Sequence, residues 1–154
     1  ANYELMQKWI KNCRDNHGAV CNDAAPSLEV GHTRLIDTES SKIVPYPVPG
    51  ETAAPGSPPA VEYTCLSYVW GGQKQDISRL GDELLRLPNT IQDAVEVTKL
   101  LKIRYLGVDA VCIDQNDDAD KQRQIAIMDK IYRGAWATIV ALSATSSESG
   151  MPRV

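Results

Sequence analysis

The sequence predicts a single α/β domain whose open, mostly parallel sheet is covered by helices on both faces. Residues 61–68 are rich in β-branched, aromatic and apolar side chains without clean alternation, which is typical of an interior strand. Beyond this strand, helix-like and strand-like segments alternate, and crossover helices between such strands build parallel sheets. With 154 residues, of which 43% are hydrophobic, the chain is long enough to bury the core of one domain.

The part before residue 61 is predicted to add one helix, one strand and a loop. An apolar stripe that ends near Asn16-His17-Gly18 indicates an amphipathic helix, and residues 33–37 indicate a short strand. Residues 45–59 hold six of the nine prolines, a composition that favours a flexible surface loop. The apolar stripe consists of Leu5, Met6, Trp9, Ile10 and Cys13. The single domain, 1–154, therefore has three parts: 1–44, a proline-rich loop at 45–60 and a core at 61–152.

The core is predicted to alternate between helices and strands. Thr90 with Asp93 resembles a capping box, in which side chains satisfy free N–H groups at a helix start. Asp118 or Asp120 can cap a later helix. The apolar face of that later helix is expected to carry Ile125, Met128, Ile131 and Tyr132. The full series is a small hairpin at 77–87, a helix from 90 to about 102, a strand at 105–108, a helix from 118 or 120, and a strand at 137–142.

The composition argues against several classes of partner. A formal net charge of -4 leaves no basic stripe that would track a phosphate backbone, so nucleic acid is not expected as a partner. The longest apolar runs, of about six residues, are far shorter than the roughly twenty that span a bilayer, so no membrane span is expected. Without a secretory signal, the four cysteines are expected to be reduced, and we expect a cytoplasmic protein.

One group of residues has the chemistry of a metal site. Cys13, His17 and Cys21 are spaced by four residues and could hold zinc, with His32 as a fourth ligand. Gly18 is expected to end the helix near His17, however, and Cys13 lies on the apolar stripe. A packed N-terminal helix is therefore the preferred interpretation, and no metal site is assigned.

Polar and aromatic residues stand where two predicted strands end. Ser67, Tyr68, Trp70 and Gly71 follow the first of these strands, and Asp109 follows the second. Because the carboxyl ends of adjacent parallel strands wall the ligand crevice of an open α/β sheet, these residues are candidates for a binding site. An indole can stack on a planar base, and a glycine permits the close approach of a ligand or a tight bend. Tyr68 and Trp70 could instead plug the edge of the core.

Asp109 and Asp114 are the candidates for catalysis. A carboxylate near the crevice can orient a ribose or act as a general base. Structural roles compete, since Asp109 can cap the turn that follows it and Asp114 can pair with a nearby cation. Cys112 has apolar neighbours and is interpreted as a buried residue, not as a nucleophile.

Several motifs of the core occur in a fixed order. Residues 63–71 read YTCLSYVWG, residues 87–91 read LPNTI and residues 104–115 read RYLGVDAVCIDQ. Together they resemble the heterokaryon incompatibility (HET) domain of filamentous fungi over about 61–152. The resemblance continues at Asp120, Gln124, Met128, Ile131-Tyr132, Ala135, Thr138-Ile139 and Gly150-Met151-Pro152.

The resemblance implies a TIR-like fold, which is a flavodoxin-like parallel sheet whose nucleotide site opens beyond the first strand. Residues 67–71 would then contact a nucleotide such as NAD. Catalytic TIR domains hydrolyse NAD with a glutamate on the helix that is similar to residues 120–134, but the positions here hold Arg123, Gln124 and Ile125. Gln124 can hold a ribose hydroxyl but cannot accept a proton, so a glycohydrolase would need one of the two aspartates as its acid.

The resemblance also implies a cell-death effector of fungal non-self recognition, a form of innate immunity, which acts with a sensor region of the same larger protein. Two other hypotheses stay open. The domain could be a non-catalytic signalling module that forms a homo-oligomer through its helix faces. It could also be a zinc-stabilised adaptor that uses Cys13, His17 and Cys21. NAD enters only as a candidate substrate, and no resident cofactor is implied.

Overall fold

The computed structural model describes residues 1–17, 33–46, 48, 61–72 and 86–152. Five strands in these ranges form one sheet in the order β2-β1-β4-β3-β5. The strands are β1 (Thr33–Asp37), β2 (Lys42–Tyr46), β3 (Tyr63–Ser67), β4 (Tyr105–Gly107) and β5 (Ala137–Val140). The helices are α1 (Tyr3–Asn16), α2 (Asn89–Leu100), α3 (Asp109–Cys112), α4 (Asp118–Ala126) and α5 (Met128–Gly134).

The sheet is mixed. β3 pairs in parallel with both β4 and β5, whereas β1 pairs antiparallel with both β2 and β4. The predicted α/β class is confirmed, but the expected mostly parallel sheet is limited to the three strands β4, β3 and β5. Residues 33–46 form a hairpin, whose short turn makes β1 and β2 antiparallel, and the hairpin joins the sheet through a second antiparallel pairing, of β1 with β4.

Helices cover both faces of β3, as the apolar character of residues 61–68 predicted. Leu66 points into a core that includes Ile91 of α2, whereas Cys65 points into a second core that includes Ile131 of α5. Alternate residues of a strand face opposite sides of the sheet, so both faces must be covered for the strand to be apolar throughout. β3 is therefore an interior strand, with neighbours on both sides.

The strand predicted at 33–37 is confirmed as β1, but the first two residues of the predicted proline-rich loop belong to a strand. Pro45 and Tyr46 belong to β2, where Pro45 lies opposite Arg34. A proline is tolerated there because β2 is an edge strand and needs hydrogen bonds on one side only. Most of the remaining predicted loop and nearly all of the predicted hairpin at 77–87 lie outside the described residues.

The N-terminal helix is confirmed as α1, but its apolar stripe is not buried. Trp9 is 60% exposed and Cys13 is also exposed, whereas Met6 and Ile10 are half-buried, so the predicted packing of the helix holds only in part. α1 contacts the domain along the side that carries Gln7, Ile10 and Arg14. Gln7 Nε2 donates to the Leu100 carbonyl at 2.7 Å, and Arg14 lies over the Trp136 ring. None of the helices in the described ranges has the length and apolar character needed to cross a membrane.

Helix α2 is confirmed, but its predicted capping box is absent. Pro88 occupies the N-cap position and offers no side-chain hydrogen bond. Thr90 Oγ1 accepts from the Gly150 N–H at 3.1 Å, and Asp93 Oδ2 accepts from the Met151 N–H at 2.6 Å. The two side chains therefore bind the chain segment after β5, not the start of their own helix.

The predicted helix from 118 onward is divided into α4 and α5 at Ile127. Asp117 caps α4, because its carboxylate accepts from the backbone N–H groups of residues 119 and 120. Because the helix breaks, the predicted apolar face is not continuous: Ile131 is buried, but Ile125 is 59% exposed. Asp120, one of the two predicted caps, is buried and turns towards β1 instead.

Arg34 of β1 binds Asp120 in a largely buried ion pair. The Arg34 Nε also donates to the Cys112 carbonyl at 2.7 Å, and Asp120 Oδ2 accepts from the Asp114 N–H at 3.0 Å. One ion pair thus joins the hairpin to the end of α3 and the start of α4.

A second ion pair joins the end of β1 to the start of β4 and makes stability depend on pH. Arg104 Nε and Nη2 donate to the two carboxylate oxygens of Asp37 at 3.0 and 2.8 Å. Hydrogen bonds from Arg104 lower the pKa of the buried Asp37 carboxyl to about 2. A depressed pKa in the folded state stabilises the fold above the unfolded pKa of about 4, and this contribution is lost as pH falls towards 2.

We predict that Asp37→Asn lowers the free energy of unfolding by roughly 1 to 2 kcal/mol at neutral pH, after allowing for the partly exposed Arg104. The deficit should shrink between about pH 4 and pH 2, where the native carboxylate becomes protonated. Urea unfolding of the wild type and the variant at several pH values measures this difference in the free energy of unfolding. Asp129→Asn, at an exposed position of α5, is the matched control. A deficit that is constant with pH would contradict the assignment.

Candidate functional site

The candidate crevice lies beyond the carboxyl ends of β3 and β4. Trp70 follows β3, Asp109 begins α3 directly after β4, and the Trp70 Nε1–H donates to Asp109 Oδ1 at 3.2 Å. The two side chains are brought together because β3 and β4 are parallel neighbours, with Cys65 opposite Gly107. The structure therefore places both residues on the same side of the sheet edge.

Asp109 is a half-buried carboxylate. Its Oδ1 accepts from the Ala110 N–H at 2.7 Å as well as from Trp70. Burial raises the pKa of Asp109 above its usual range, and the two hydrogen bonds offset part of this effect because they favour the charged form. Asp109 therefore takes up a proton more readily than an exposed aspartate does, as a general acid or base requires.

Tyr68 brings a free hydroxyl to the same region. Its Oη is buried and has no hydrogen-bond partner among the residues that the structure describes. Burial raises the pKa of Tyr68, and the nearby charge of Asp109 adds to this effect, so the hydroxyl keeps its proton and remains a donor. Tyr132, by contrast, donates its hydroxyl hydrogen to the Leu66 carbonyl at 3.0 Å. Tyr68 is thus the tyrosine with unused hydrogen-bonding capacity here.

A narrow cavity extends from Asp109 into the domain. Its volume is about 20 Å³, which is room for one water molecule and far less than the roughly 300 Å³ of a small ligand pocket. Gln124, which is only 1% exposed, lies on its wall. A nucleotide therefore cannot enter this space as it stands. Other residues on the wall are Thr33, Arg34, Cys65, Cys112 and Tyr132.

Asp114 lies apart from this cavity. Its carboxylate accepts from the Asn116 N–H at 2.9 Å, which fixes the turn before α4, and it is not among the cavity-lining residues. Arg123 is exposed and lies 3.7 Å from the Asp120 carboxylate. Of the two candidate catalytic aspartates, Asp109 is the one at the cavity.

Ser67 and Gly71 contact the segment that follows β5. The Ser67 carbonyl accepts from the Ala141 N–H at 3.0 Å. Gly71 has a φ of +71°, and a Cβ built there would lie 2.5 Å from the Cβ of Ser146. Only glycine allows this approach, so the packing of two chain segments is sufficient to explain Gly71 without a ligand.

Sequence reasoning missed Arg34 and Thr33, which line the cavity from β1. No local pattern marks them, because they reach the site only through the antiparallel pairing of β1 with β4.

Burial raises the pKa of both cavity thiols, Cys65 and Cys112, to about 12, so neither is a ready nucleophile. Within the described ranges, no three His, Cys, Asp or Glu side chains are grouped as metal ligands. Cys21 and His32 lie outside those ranges.

Gly71 and Gly72 form a matched pair that tests the role assigned to Gly71. Both have positive φ, but a Cβ at Gly72 meets no atom within 4 Å. We predict that Gly72→Ala costs about 1 kcal/mol of stability, from backbone strain alone, and that Gly71→Ala costs about 3 kcal/mol because the clash with Ser146 is added. Chemical denaturation of the two variants measures the difference. Equal losses would show that the Ser146 contact is not limiting.

The chain matches the family described as Heterokaryon incompatibility protein (HET) over residues 63–154. A curated relative, heterokaryon incompatibility protein 6, OR allele, of Neurospora crassa, is 31% identical over 112 residues, which cover 62% of this chain and 16% of the relative. The chain thus spans a small part of that protein. No solved structure matches. Since the family match covers more than half of the chain, the resemblance seen in the ordered motifs is confirmed, and the chain belongs to the heterokaryon incompatibility (HET) family.

Proposed function

We propose that this chain is a cell-death effector domain of fungal non-self recognition, and that it binds a nucleotide such as NAD at the mouth of the crevice. The observation that carries the nucleotide proposal is the Trp70–Asp109 hydrogen bond beside the unpaired Tyr68 hydroxyl. The effector role is supported by the family and by the name of the curated relative. We further propose that the domain acts in the cytoplasm, beside a sensor region of the same larger protein.

The chemistry of the three side chains suits a nucleoside. The indole of Trp70 can stack on a base, and the Asp109 carboxylate can accept from ribose hydroxyls. The buried Tyr68 hydroxyl can donate to an acceptor where the crevice widens. The three parallel strands lie side by side in the order β4-β3-β5. The first of them along the chain, β3, thus lies between the second, β4, and the third, β5. A flavodoxin-like sheet begins with this order, which supports the proposed TIR-like relationship.

Binding and cleavage are separate parts of the proposal. The cavity behind Asp109 admits only a water molecule, so the base would rest against Trp70 at the mouth, or the crevice would widen. Gln124 cannot accept a proton, so cleavage of NAD would depend on Asp109. The raised pKa of Asp109 suits an acid or base.

We predict that Trp70→Ala weakens NAD binding by about tenfold or more, since stacking on an aromatic side chain is worth about 1 to 3 kcal/mol per base. Calorimetric titration of the purified chain measures the dissociation constant. Trp9→Ala, which makes the same substitution at a 60% exposed position of α1, is the control and should bind as the wild type does.

An absence of binding at about millimolar NAD, or an equal affinity of the Trp70→Ala variant, would refute the nucleotide proposal. Nicotinamide release at high protein concentration reports cleavage separately. If release occurs, Asp109→Asn should abolish it, while binding without release would identify a nucleotide-sensing module.

A second candidate is a non-catalytic module that self-associates through helix faces. The observation that favours it is the exposed apolar stripe of α1, on which Leu5 and Trp9 are 40% and 60% exposed. Exposed apolar stripes of this kind are typical of protein contacts. Such a module would need no substrate at the crevice.

We predict that Trp9→Glu raises the dissociation constant for self-association by at least about tenfold if α1 forms the contact, because the large aromatic is lost and a charge is buried. Lys8→Glu, at an exposed neighbouring position, is the control for the added charge. Analytical ultracentrifugation distinguishes the variants. Unchanged association of Trp9→Glu would exclude this helix face.

A further inference from the structure

The two edges of the sheet differ in how they are protected. β2 forms one edge and carries an exposed lysine, Lys42, and Pro45, which lacks an N–H group. Lysine and proline are common means by which natural proteins prevent an edge strand from pairing with another chain. This edge is therefore a poor acceptor for a further strand.

β5 forms the opposite edge and has none of these protections. In the part of the chain that the structure describes, β5 has a single neighbour, β3. Residues 135–147 contain no charged residue, no proline and no glycine. A strand of this kind presents unpaired N–H and C=O groups that can accept another strand.

The side chains at this edge are also available for contact. Thr138 and Val140 are both exposed, and since they are two positions apart they lie on the same face of β5. Val140 is 52% exposed, and Leu142, just beyond the strand, is 92% exposed. Among the described residues, this edge therefore combines apolar surface with backbone groups that no other strand pairs.

We propose that two copies of this chain associate by antiparallel pairing of their β5 strands about a two-fold axis at Ile139. In this register, Thr138 of one copy lies opposite Val140 of the other. These β-branched residues form favourable cross-strand pairs, and no like charges face each other. A second copy is the occupant that fits, because the uncharged strand is complementary to itself and a two-fold contact uses the same residues twice.

The unequal edges also limit the assembly. Addition of β5 to the β2 edge of another copy would place a strand against Lys42 and Pro45, so head-to-tail growth is disfavoured. The two-fold contact uses the β5 edge of both copies, so the outer edges of the joined sheet are the two β2 strands. The expected species is a dimer.

Sedimentation velocity between about 1 and 200 μM tests the proposal, because a small strand-edge contact is expected to be weak. Val140→Lys should raise the dissociation constant at least tenfold. Ile125→Lys, at a similarly exposed apolar position of helix α4, is the matched control and should dimerise as the wild type does. Circular dichroism confirms that each variant is folded.

A charge-pair rescue tests the register. Val140→Lys and Thr138→Glu should each be monomeric alone, but a mixture of the two should form heterodimers, since positions 138 and 140 face each other across the axis. A monomeric wild type at about 200 μM, association unaffected by Val140→Lys, oligomers larger than a dimer, or a mixture without rescue would overturn the proposal. The result is independent of Trp70, so failure here leaves the nucleotide proposal intact. Association that Val140→Lys leaves unchanged but Trp9→Glu weakens would assign the contact to α1 instead.

Discussion

The ion pair between Arg34 and Asp120 is the contact on which the arrangement of the crevice depends. Arg34 lies before the region that matches the family, and Asp120 lies within it. Their side chains also bind the Cys112 carbonyl and the Asp114 N–H, so the pair fixes the end of α3 against β1. Removing one partner of a largely buried ion pair costs about 3 to 5 kcal/mol, because the other charge is left uncompensated. The hairpin is thus more than an addition to the family core, since Thr33 and Arg34 of β1 form one wall of the cavity behind Asp109.

The structure separates motif residues with packing roles from those that are free to act. Thr90 and Asp93 accept hydrogen bonds from the segment after β5, and the absence of a side chain at Gly71 allows Ser146 to pack against the backbone there. Trp70 and Asp109 bind each other beyond the ends of β3 and β4, and Asp109 lies on the wall of the cavity. Chemistry at the crevice is therefore expected to rest on few residues. Self-association would use the β5 edge or the α1 face instead, so binding and assembly need not compete.

Much of the local structure followed from local patterns. The interior strand β3, helix α2 and strand β5 were all predicted near their observed positions, because apolar periodicity reports which faces of a segment are buried. The pairing partners of β1 did not follow, nor did the exposure of Trp9, because periodicity shows that a face is apolar without showing what covers it. Likewise, the spacing of Thr90 and Asp93 suited a capping box, but a segment about sixty residues later took both side chains.

The sequence by itself determined the α/β class, the family and the approach of Trp70 to Asp109, because each depends on ordered motifs or on where apolar strands end. Only the tertiary structure decided that the sheet is mixed and that Arg34 lines the cavity behind Asp109. It also decided that Gly71 packs against Ser146, and that the edge strand β2 carries a lysine and a proline whereas the edge strand β5 carries neither. These features depend on contacts between residues far apart in the chain, and such contacts leave no periodic trace in either partner segment.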